Sequence, residues 1–353
     1  MTLSISVTPI PYPHDGPQTI GDPQLFPLSI NSHGTVAGVL NSVTKTGDRY
    51  HYGYWAYKNG QTRFIDPPVV LPNGGHTWPI RILNNQDVMV GAKAVQWGGA
   101  KIFTFDLKND AISEAATPTG THQFGGYSIY DDGSIEANVD VSTTYALRAY
   151  MVVGTQFTPE TIEGFQFLLL NRTSQSGRSV SYSAYPNGAP PHSDSITLLR
   201  RDRTFVEDLG TLIVVDVNDD FDIAFIDRNR PQYNGIIPAS SFRIDGMRFD
   251  IPQPIFPNKV ANGRESRVSP TKFVVGSYVD VNISPPAPTE EGFFLWHQGH
   301  FIDLMQLPDF QTLRPTYSSV TPVNELSQFA FACRDYTKST DATMHAYICR
   351  VWL

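Results

Sequence analysis

The sequence predicts an all-β fold, and three observations support this prediction. First, a hairpin-like pattern recurs seven times along the 353 residues, at intervals of 41 to 53 residues. Second, an aromatic strand and a glycine-containing turn follow several copies, so that each repeat supplies four antiparallel strands. Third, no segment shows the periodicity of an amphipathic helix. Repeats of roughly 40 to 50 residues with four strands each are typical of β-propeller blades, so we expect a seven-bladed β-propeller.

The first hairpin of each repeat is clearest in residues 29–38 (SINSHGTVAG). A short apolar strand is followed by a turn rich in Asn, Asp, Gly and Ser and then by a second apolar strand, which predicts a β-hairpin. We expect the residue just before each turn to be apolar. In the seven copies these residues are Ile30, Leu83, Ile129, Leu170, Val217, Val268 and Val320.

A second hairpin in the repeat begins with an aromatic strand and turns at a glycine. It is clearest in residues 54–60 (YWAYKNG) and 293–299 (FFLWHQG), and fainter in residues 240–246 (SSFRIDG). Aromatic and β-branched residues favour strands, and a polar residue followed by Gly favours a tight turn. Two hairpins per repeat predict four antiparallel strands per blade.

The last repeat lacks a fourth strand, because residues 345–353 (HAYICRVWL) supply only its third. Residues 2–10 (TLSISVTPI) alternate between polar and apolar and have no hairpin partner of their own. We therefore expect the N-terminal strand to complete the last blade, which removes exposed sheet edges. The prediction is a single domain over residues 1–353, with blades at about 25–78, 79–125, 126–167, 168–212, 213–262, 263–315, and 316–353 plus 1–13.

Three motifs resemble a known family of repeats. They are residues 29–38, residues 292–304 (GFFLWHQGHFIDL) and residues 208–212 (DLGTL). The sequence resembles the bacterial HAF-type extracellular-repeat family, whose units combine an Ile-Asn turn, a Phe-Leu-Trp strand and an Asp-Leu-Gly-Thr-Leu segment. The resemblance implies a β-propeller and favours an extracellular or cell-surface location. It implies no activity and no catalytic residues.

Composition excludes several functional classes. With 26 basic and 34 acidic residues the net charge is −8, which disfavours binding to nucleic acid. The apolar runs are far shorter than the roughly 18 residues that a membrane helix requires, so no membrane span is expected. The first residues carry no signal-peptide pattern. Nucleotide-binding, serine-hydrolase and zinc-protease motifs are also missing, and no cofactor is expected.

The loops suggest where a ligand binds. In a propeller, the loops between blades gather on one face with the loops between second and third strands, and loops on a rigid scaffold often carry function. These segments are long here and contain aromatic, Arg and His residues, which suit stacking on sugars and directed hydrogen bonds. Packing of the loops themselves is the alternative explanation for any one of these residues. The candidate ligand-binding residues are Arg49, Tyr50, His51, His76, Trp78, Trp97, His122, Phe124, Arg230 and Tyr233.

The leading functional hypothesis is a binding protein for a carbohydrate or a protein surface. A competing hypothesis is a polysaccharide lyase or glycoside hydrolase with a site at the mouth of the central channel. In such an enzyme His76, His122 and Tyr233 are the candidates for proton transfer, and Arg264 or Arg267 would neutralise a uronate carboxylate. A third hypothesis is a structural interaction module of a toxin or surface assembly.

One segment has a pattern of metal ligands. Asp216, Asn218, Asp220 and Asp222 place oxygen atoms at alternate positions, as calcium loops do. However, Phe221 stands where such a loop needs glycine, and Asp and Asn are common in hairpin turns without a metal. We expect no metal site, and these four residues are the candidates if one exists.

The two cysteines, Cys333 and Cys349, lie in apolar segments of the last repeat. Buried cysteine behaves as a small apolar residue, so we expect free thiols. A cross-strand disulfide is the alternative, because the two residues fall on neighbouring predicted strands.

Overall fold

A computed structural model describes residues 4–16, 22–43, 49–65, 79–95, 99–115, 123–140, 147–188, 195–230, 240–280, 291–311, 313–334 and 344–352. In this part of the chain the structure is all-β, and its only helices are three 3₁₀-helices of three residues each. The chain divides into two compact units, Met1–Ile65 with Asp220–Leu353, and Asp66–Asp219. The predicted absence of α-helices is confirmed for the described residues.

Strands account for most of the described chain. In chain order they are β1 (Ser4–Ile10), β2 (Asp22–Ile30), β3 (Val36–Val43), β4 (Arg49–Lys58), β5 (Gln61–Ile65), β6 (Val88–Val95), β7 (Gly99–Asp106), β8 (Ala111–Glu114), β9 (Gln123–Ile129), β10 (Ile135–Asp140), β11 (Arg148–Val153), β12 (Gln156–Pro159), β13 (Phe165–Thr173), β14 (Ser179–Pro186), β15 (Ile196–Arg201), β16 (Phe205–Asp208), β17 (Leu212–Val217), β18 (Ile223–Asp227), β19 (Ser240–Ile244), β20 (Met247–Asp250), β21 (Lys259–Ala261), β22 (Arg267–Val268), β23 (Phe273–Asp280), β24 (Glu291–His297), β25 (His300–Asp303), β26 (Arg314–Val320), β27 (Gln328–Arg334) and β28 (Met344–Trp352). The 3₁₀-helices are η1 (Gly263–Glu265), η2 (Leu304–Gln306) and η3 (Pro308–Phe310).

In the first unit, which contains both chain termini, the strands pair antiparallel except for one parallel contact between β2 and β28, with Gln24 opposite Met344. Strands β2 to β5 pair in order, as do β18 to β20. Strands β21 and β22 both pair with β23, which continues to β24 and β25. Strands β26, β27 and β28 pair in order, and β1 pairs with β28 from Ser4 opposite Trp352 to Ile10 opposite Ala346. The N-terminal strand therefore forms the outer edge of the sheet built from the C-terminal strands.

The second unit has the same construction. Strands β6 to β8, β9 to β12 and β13 to β16 pair in order, always antiparallel. Residues just before β6 make only isolated bridges, with Leu83 opposite Met89 and Arg81 opposite Ser128. Successive strands thus pair with their neighbours in sequence, which is the arrangement that consecutive hairpins produce.

The turn of each repeat has one residue with positive φ. An N–H of this residue donates to the first carbonyl of the turn, as from Gly34 to Asn31 (3.0 Å) and from Ser327 to Asn324 (3.0 Å). Glycine adopts this left-handed conformation at little cost, but other residue types also occupy it here. The seven residues are Gly34 (φ 79°), Asp87 (62°), Gly133 (81°), Gly177 (76°), Phe221 (66°), Lys272 (65°) and Ser327 (57°).

These turns correct the register of two repeats. The fourth repeat turns at Ser174, whose N–H donates to Ser179, so Thr173 precedes the turn and not Leu170. Asn171, which looked like the turn residue, lies within β13 and donates to Ser183 Oγ (2.9 Å). In the seventh repeat the turn begins at Asn324, so the apolar residue before it is Val323 and not Val320. In both repeats an apolar residue followed by a polar one, three positions earlier in the chain, resembles the residues at the start of the turn.

Aromatic rings fill the core of the first unit. Phe331 lies at its centre, 4.9 Å from Phe293 and 5.6 Å from Phe310 between ring centroids, and Tyr347 stacks on it. Ile5 on β1 packs against the same cluster. Rings of this size bury large apolar areas and hold neighbouring sheets together.

Both cysteines are free and buried. On the antiparallel pair β27 and β28, Cys333 lies opposite His345 and Cys349 lies opposite Phe329. The two thiols are therefore out of register with one another, which agrees with the expectation of free thiols. Burial raises the pKa of Cys349 well above its usual range, which favours the neutral thiol over the thiolate.

Candidate functional site

The two sheets β18–β20 and β21–β25 have a turn end and a loop end. Strands β18 and β23 both begin just after a repeat turn, and these turns adjoin because Lys272 Nζ donates to Asp222 (2.9 Å) and lies 3.0 Å from Asp245. We call this side the turn end. At the opposite side, which we call the loop end, four strands finish with aspartates. These residues are Asp227, Asp250, Asp280 and Asp303.

Lys272 also forms ion pairs with two of the candidate metal ligands. Lys272 Nζ lies 3.3 Å from Asp220 and 2.9 Å from Asp222, so an ammonium group occupies the position between these carboxylates. These neighbours raise the pKa of Lys272 despite its partial burial, and it remains charged. Among the described residues no group of three or more His, Cys, Asp or Glu side chains could hold a metal ion. Asp216 and Asn218 are buried on and just after β17.

The loop end of β18–β20 carries a network of two arginines and two aspartates. Arg248 donates to Asp227 (2.8 Å) and to Asp250 (2.9 Å). Arg230, a predicted ligand-binding residue, donates to Ser241 Oγ (3.0 Å) and lies 3.4 Å from Asp250. The hydrogen bond from Arg248 lowers the pKa of Asp227 and keeps it ionised. Arg230 is thus part of a charge-paired network. The Arg248 and Asp250 side chains of this network are about half exposed.

The loop end of β21–β25 carries a second polar cluster, made of Lys259, Tyr278 and Asp303. Lys259 Nζ donates to Asp303 Oδ2 (2.7 Å) and to the Tyr278 hydroxyl (3.0 Å), and this hydroxyl donates to Asp303 Oδ1 (2.8 Å). The half-buried ring of Phe256 lies edge-on to Tyr278, with 5.9 Å between ring centroids. Each charged group therefore has a partner, and the cluster is held in one geometry.

A close approach of the backbone positions this tyrosine. A Cβ atom on Gly292 would lie 2.2 Å from the Tyr278 ring, so only glycine lets the ring lie across β24 at this point. The ring is 3% exposed, while its hydroxyl reaches the charged pair. The geometry of the cluster thus depends on a residue that makes no polar contact.

Between β21 and β22 the chain forms η1, which carries Arg264. Asn262 Oδ1 accepts the N–H of Arg264 (3.2 Å), and Arg267 donates to the carbonyls of Val320 (3.0 Å) and Ser266 (3.0 Å). The helix η1 also contacts β18 and β19, which belong to one sheet, and β26, which belongs to another. A short helix with these anchors is a rigid support.

The two arginines of this segment have different roles. Arg267 is used for anchoring, since its guanidinium also contacts Glu265 (3.3 Å) and the carbonyl of Arg264 (3.3 Å). Arg264 is exposed, and its guanidinium makes no hydrogen bond or ion pair with the described part of the chain. Arg264 is therefore a charged group that is available to a ligand.

Most other predicted site residues cannot be placed. His76, Trp78, Trp97, His122 and Tyr233 lie outside the described residues. Arg49, Tyr50 and His51 lie on β4 and Phe124 lies on β9, where the backbone alone is described. Whether these side chains lie near Arg230, Arg264 or Arg267 therefore stays a prediction.

Sequence reasoning missed the residues that form the second cluster. Lys259, Tyr278 and Asp303 are far apart in the chain and lie on three different strands. One signal was available, because an aspartate closes each of four neighbouring strands in this region. Aspartates at the ends of strands that share a direction lie on the same edge of a sheet, which would have pointed to the loop end.

Comparison with known proteins shows the fold. The sequence matches no protein-family model and no curated protein sequence. The β-propeller domain of the Trilobed protease from Pyrococcus furiosus aligns over 91% of this chain and 92% of its own, with a TM-score of 0.57 and 9% identity. An oligogalacturonate lyase in complex with manganese aligns over 100% of this chain and 97% of its own, with a TM-score of 0.55 and 10% identity.

A peptidase matches over part of its length. The acylaminoacyl peptidase of Pyrococcus horikoshii aligns over 88% of this chain, with a TM-score of 0.53 and 11% identity, but this chain covers only 49% of it. Identities this low show the fold and nothing of the activity. The chain therefore has the fold of a β-propeller. No helix in its described part is long and apolar enough to cross a membrane.

Proposed function

We propose that this chain is a recognition protein that binds a carbohydrate at the loop end of a seven-bladed propeller. In this proposal each repeat forms one four-stranded blade, and β1 completes the last blade and closes the ring. The sequence resemblance to HAF-type repeats supports the same architecture. Loops at one face of a rigid ring are a common place for binding groups.

The observation that carries the proposal is Arg264. It is exposed, has no partner in the described part of the chain, and is held by a helix that contacts two neighbouring sheets. An arginine with free N–H groups can donate two parallel hydrogen bonds to a carboxylate or to adjacent hydroxyls. Since its backbone is already fixed, binding orders the side chain alone and not a loop.

The two polar clusters at the loop end support a hydroxyl-rich ligand. Arg230, Arg248 and Lys259 are each paired with an aspartate, so the described loop-end groups are close to neutral in total. Charge-paired donors and acceptors in fixed positions suit the hydroxyl groups of a sugar better than a polyanion. The half-buried Phe256 ring adds an apolar surface on which a sugar can pack.

The test is a glycan-array screen of the full chain, with the variants Arg264→Ala and Arg178→Ala. Arg178 is the matched control, because it is an exposed arginine paired with Asp202 in the other unit. We expect wild type and Arg178→Ala to bind the same glycan, and Arg264→Ala to bind it about tenfold more weakly or worse, since a charge-assisted hydrogen bond is lost. Equal binding by Arg264→Ala would reject the site, and no glycan bound by any form would reject a carbohydrate ligand in favour of a protein surface.

A polysaccharide lyase is a second candidate. One observation favours it: the Tyr278 hydroxyl lies between a cation and a carboxylate. A phenol in such a position can exchange a proton with a substrate. We would measure the ultraviolet absorbance of unsaturated products from oligouronides, with Tyr278→Phe as the test and Tyr150→Phe, on β11, as the control. Turnover that persists in Tyr278→Phe would remove this assignment.

A further inference from the structure

The second unit contains a buried cluster of ionisable side chains, none of which belongs to the candidate site described above. It is formed by Glu136 on β10, Tyr182 on β14 and Arg200 on β15, together with Tyr130 and Glu160. Glu136 and Tyr182 are fully buried, Tyr130 is 1% exposed and Arg200 is 7% exposed. Charged groups are rarely buried to this extent without complete pairing.

The pairing in this cluster is incomplete. The Tyr130 hydroxyl donates to Glu136 Oε2 (2.5 Å), while Arg200 donates to Glu160 Oε2 (2.5 Å) and lies 3.7 Å from Glu136 Oε2. The Arg200 guanidinium lies over the Tyr182 ring, 5.0 Å from its centroid. Glu136 Oε1 and Arg200 Nε have no hydrogen-bond partner in the described part of the chain.

The charges in the cluster do not balance. One guanidinium is shared by two carboxylates, and Glu160 takes its direct hydrogen bond. When both carboxylates are ionised, one negative charge remains in a closed region, which is strongly unfavourable. Protonation of Glu136 removes this charge, and the added proton gives Glu136 a donor.

Burial and the neighbouring charges shift the pKa values of these groups in the directions that this geometry requires. Burial raises the pKa of Glu136 to about 7, with Arg200 opposing the rise and Glu160 adding to it. Burial and the charge on Glu136 raise the pKa of both Tyr130 and Tyr182 far above their usual range, so both remain neutral. Burial opposes the charge on Arg200, but Tyr182, Glu136 and Glu160 outweigh it and keep the guanidinium protonated.

We propose that this cluster is a proton-binding site that makes the packing of sheet β9–β12 against sheet β13–β16 depend on pH near neutrality. Glu136 and Tyr130 belong to the first of these sheets and its turn, and Tyr182 and Arg200 belong to the second. The proton therefore acts as a ligand at the contact between them. This site is independent of the carbohydrate proposal.

The direction of the effect follows from proton linkage. The pKa of Glu136 in the folded chain is higher than the roughly 4.3 of an unfolded chain, so folding takes up a proton between these values. The stabilisation from this proton is complete below the unfolded pKa and is lost as the pH rises through the folded pKa. The cluster thus makes the protein less stable at pH 8 than at pH 6.

The first test is urea unfolding of the full chain at pH 6 and pH 8, in wild type, Glu136→Gln and Glu114→Gln. Glu114 is the matched control, because it is exposed and paired with Lys101 on the surface. We expect wild type and Glu114→Gln to unfold at a lower urea concentration at pH 8 than at pH 6. In Glu136→Gln most of this difference in the urea midpoint should disappear. An equal shift in all three proteins would overturn the proposal.

The second test does not depend on the folding of the Glu136 variant. Carbon-13 NMR of the glutamate carboxyl groups should show one that titrates near pH 7 in wild type. In Glu160→Gln, Glu136 is the only carboxylate of the cluster that can pair with Arg200. The titration of Glu136 should therefore shift to lower pH in that variant. If every glutamate of the wild-type protein titrates near pH 4, the cluster is not a proton site.

Discussion

At the scale of single residues, several glycines of this chain serve as contact points for aromatic rings. Gly38 and Gly276 occupy the same last position of the repeat. A Cβ atom on Gly276 would lie 2.5 Å from the Phe294 ring, and one on Gly38 would lie 2.1 Å from the Phe26 carbonyl oxygen and 2.6 Å from the Trp55 ring. The aromatic residue begins the second hairpin of the same repeat. This contact explains why the repeat combines an apolar strand ending in glycine with an aromatic strand.

We expect Gly276→Ala to destabilise the protein by about 1 to 3 kcal/mol, because the added methyl group overpacks a closed core. Phe294, the residue that it meets, is fully buried. The measurement is urea unfolding of Gly276→Ala in the wild-type and Phe294→Leu backgrounds. The penalty should be smaller in the Phe294→Leu background, and an unchanged penalty would show that the ring is not the cause.

The candidate site shows how far single residues can be read from sequence. Arg264 and Arg267 were both predicted, but the pattern could not distinguish the exposed arginine from the one that anchors η1. Lys259, Tyr278 and Asp303 were missed because their contact depends on the register of three strands. Glu136 and Arg200 were missed for the same reason, since neither forms a local motif.

At the scale of elements, the asparagine of the repeat turn links neighbouring hairpins. Asn84 Oδ1 accepts two N–H groups of its own turn, and its Nδ2 donates to the carbonyl of Tyr130 (3.1 Å) in the next repeat. Asn324 does the same, with its Nδ2 donating to the carbonyl of Asn31 (2.7 Å). In the latter case the last repeat is joined to the first.

Because this asparagine both accepts and donates hydrogen bonds, its replacement by aspartate, which has nearly the same shape, should destabilise the protein. Asn324→Asp keeps the acceptor for the turn but loses the donor to Asn31 and introduces a charge at a buried position. We expect a loss of stability of about 2 kcal/mol, measured by urea unfolding. Asn59→Asp is the control, since Asn59 is exposed in a turn that also tolerates Asp. If Asn324→Asp were as stable as wild type, the asparagine would serve its own turn alone.

Sequence patterns located most hairpins but not every register. The second hairpins turn at Asn59-Gly60, Asp245-Gly246 and Gln298-Gly299, where both residues have positive φ, as their sequences indicated. The fourth and seventh repeats were displaced, because Asn171 in β13 and Val320 in β26 resemble turn and pre-turn residues. The same short polar pattern occurs in strands and in turns, so only the hydrogen-bond partners show which of the two a segment forms.

At the scale of the whole molecule, the chain termini meet in one sheet. Strand β1 covers the edge of β28 over seven residue pairs, and Ile5 and Val7 of β1 pack against the aromatic core of the first unit. Without β1 the edge of β28 would be exposed and this part of the core would face water. The proposed seven-bladed ring, closed by its N-terminal strand, therefore requires residues 1–10.

The measurement that tests this closure most directly is thermal unfolding of the chain without residues 1–10. A useful companion is a full-length variant in which each serine within residues 4–7 exchanges places with the apolar residue after it, which keeps length and composition but reverses the faces of β1. We predict that both proteins unfold at clearly lower temperature than wild type, because both lose the packing of β1 on the core. If the truncated chain unfolds at the wild-type temperature, β1 does not close the ring and the proposed architecture is wrong.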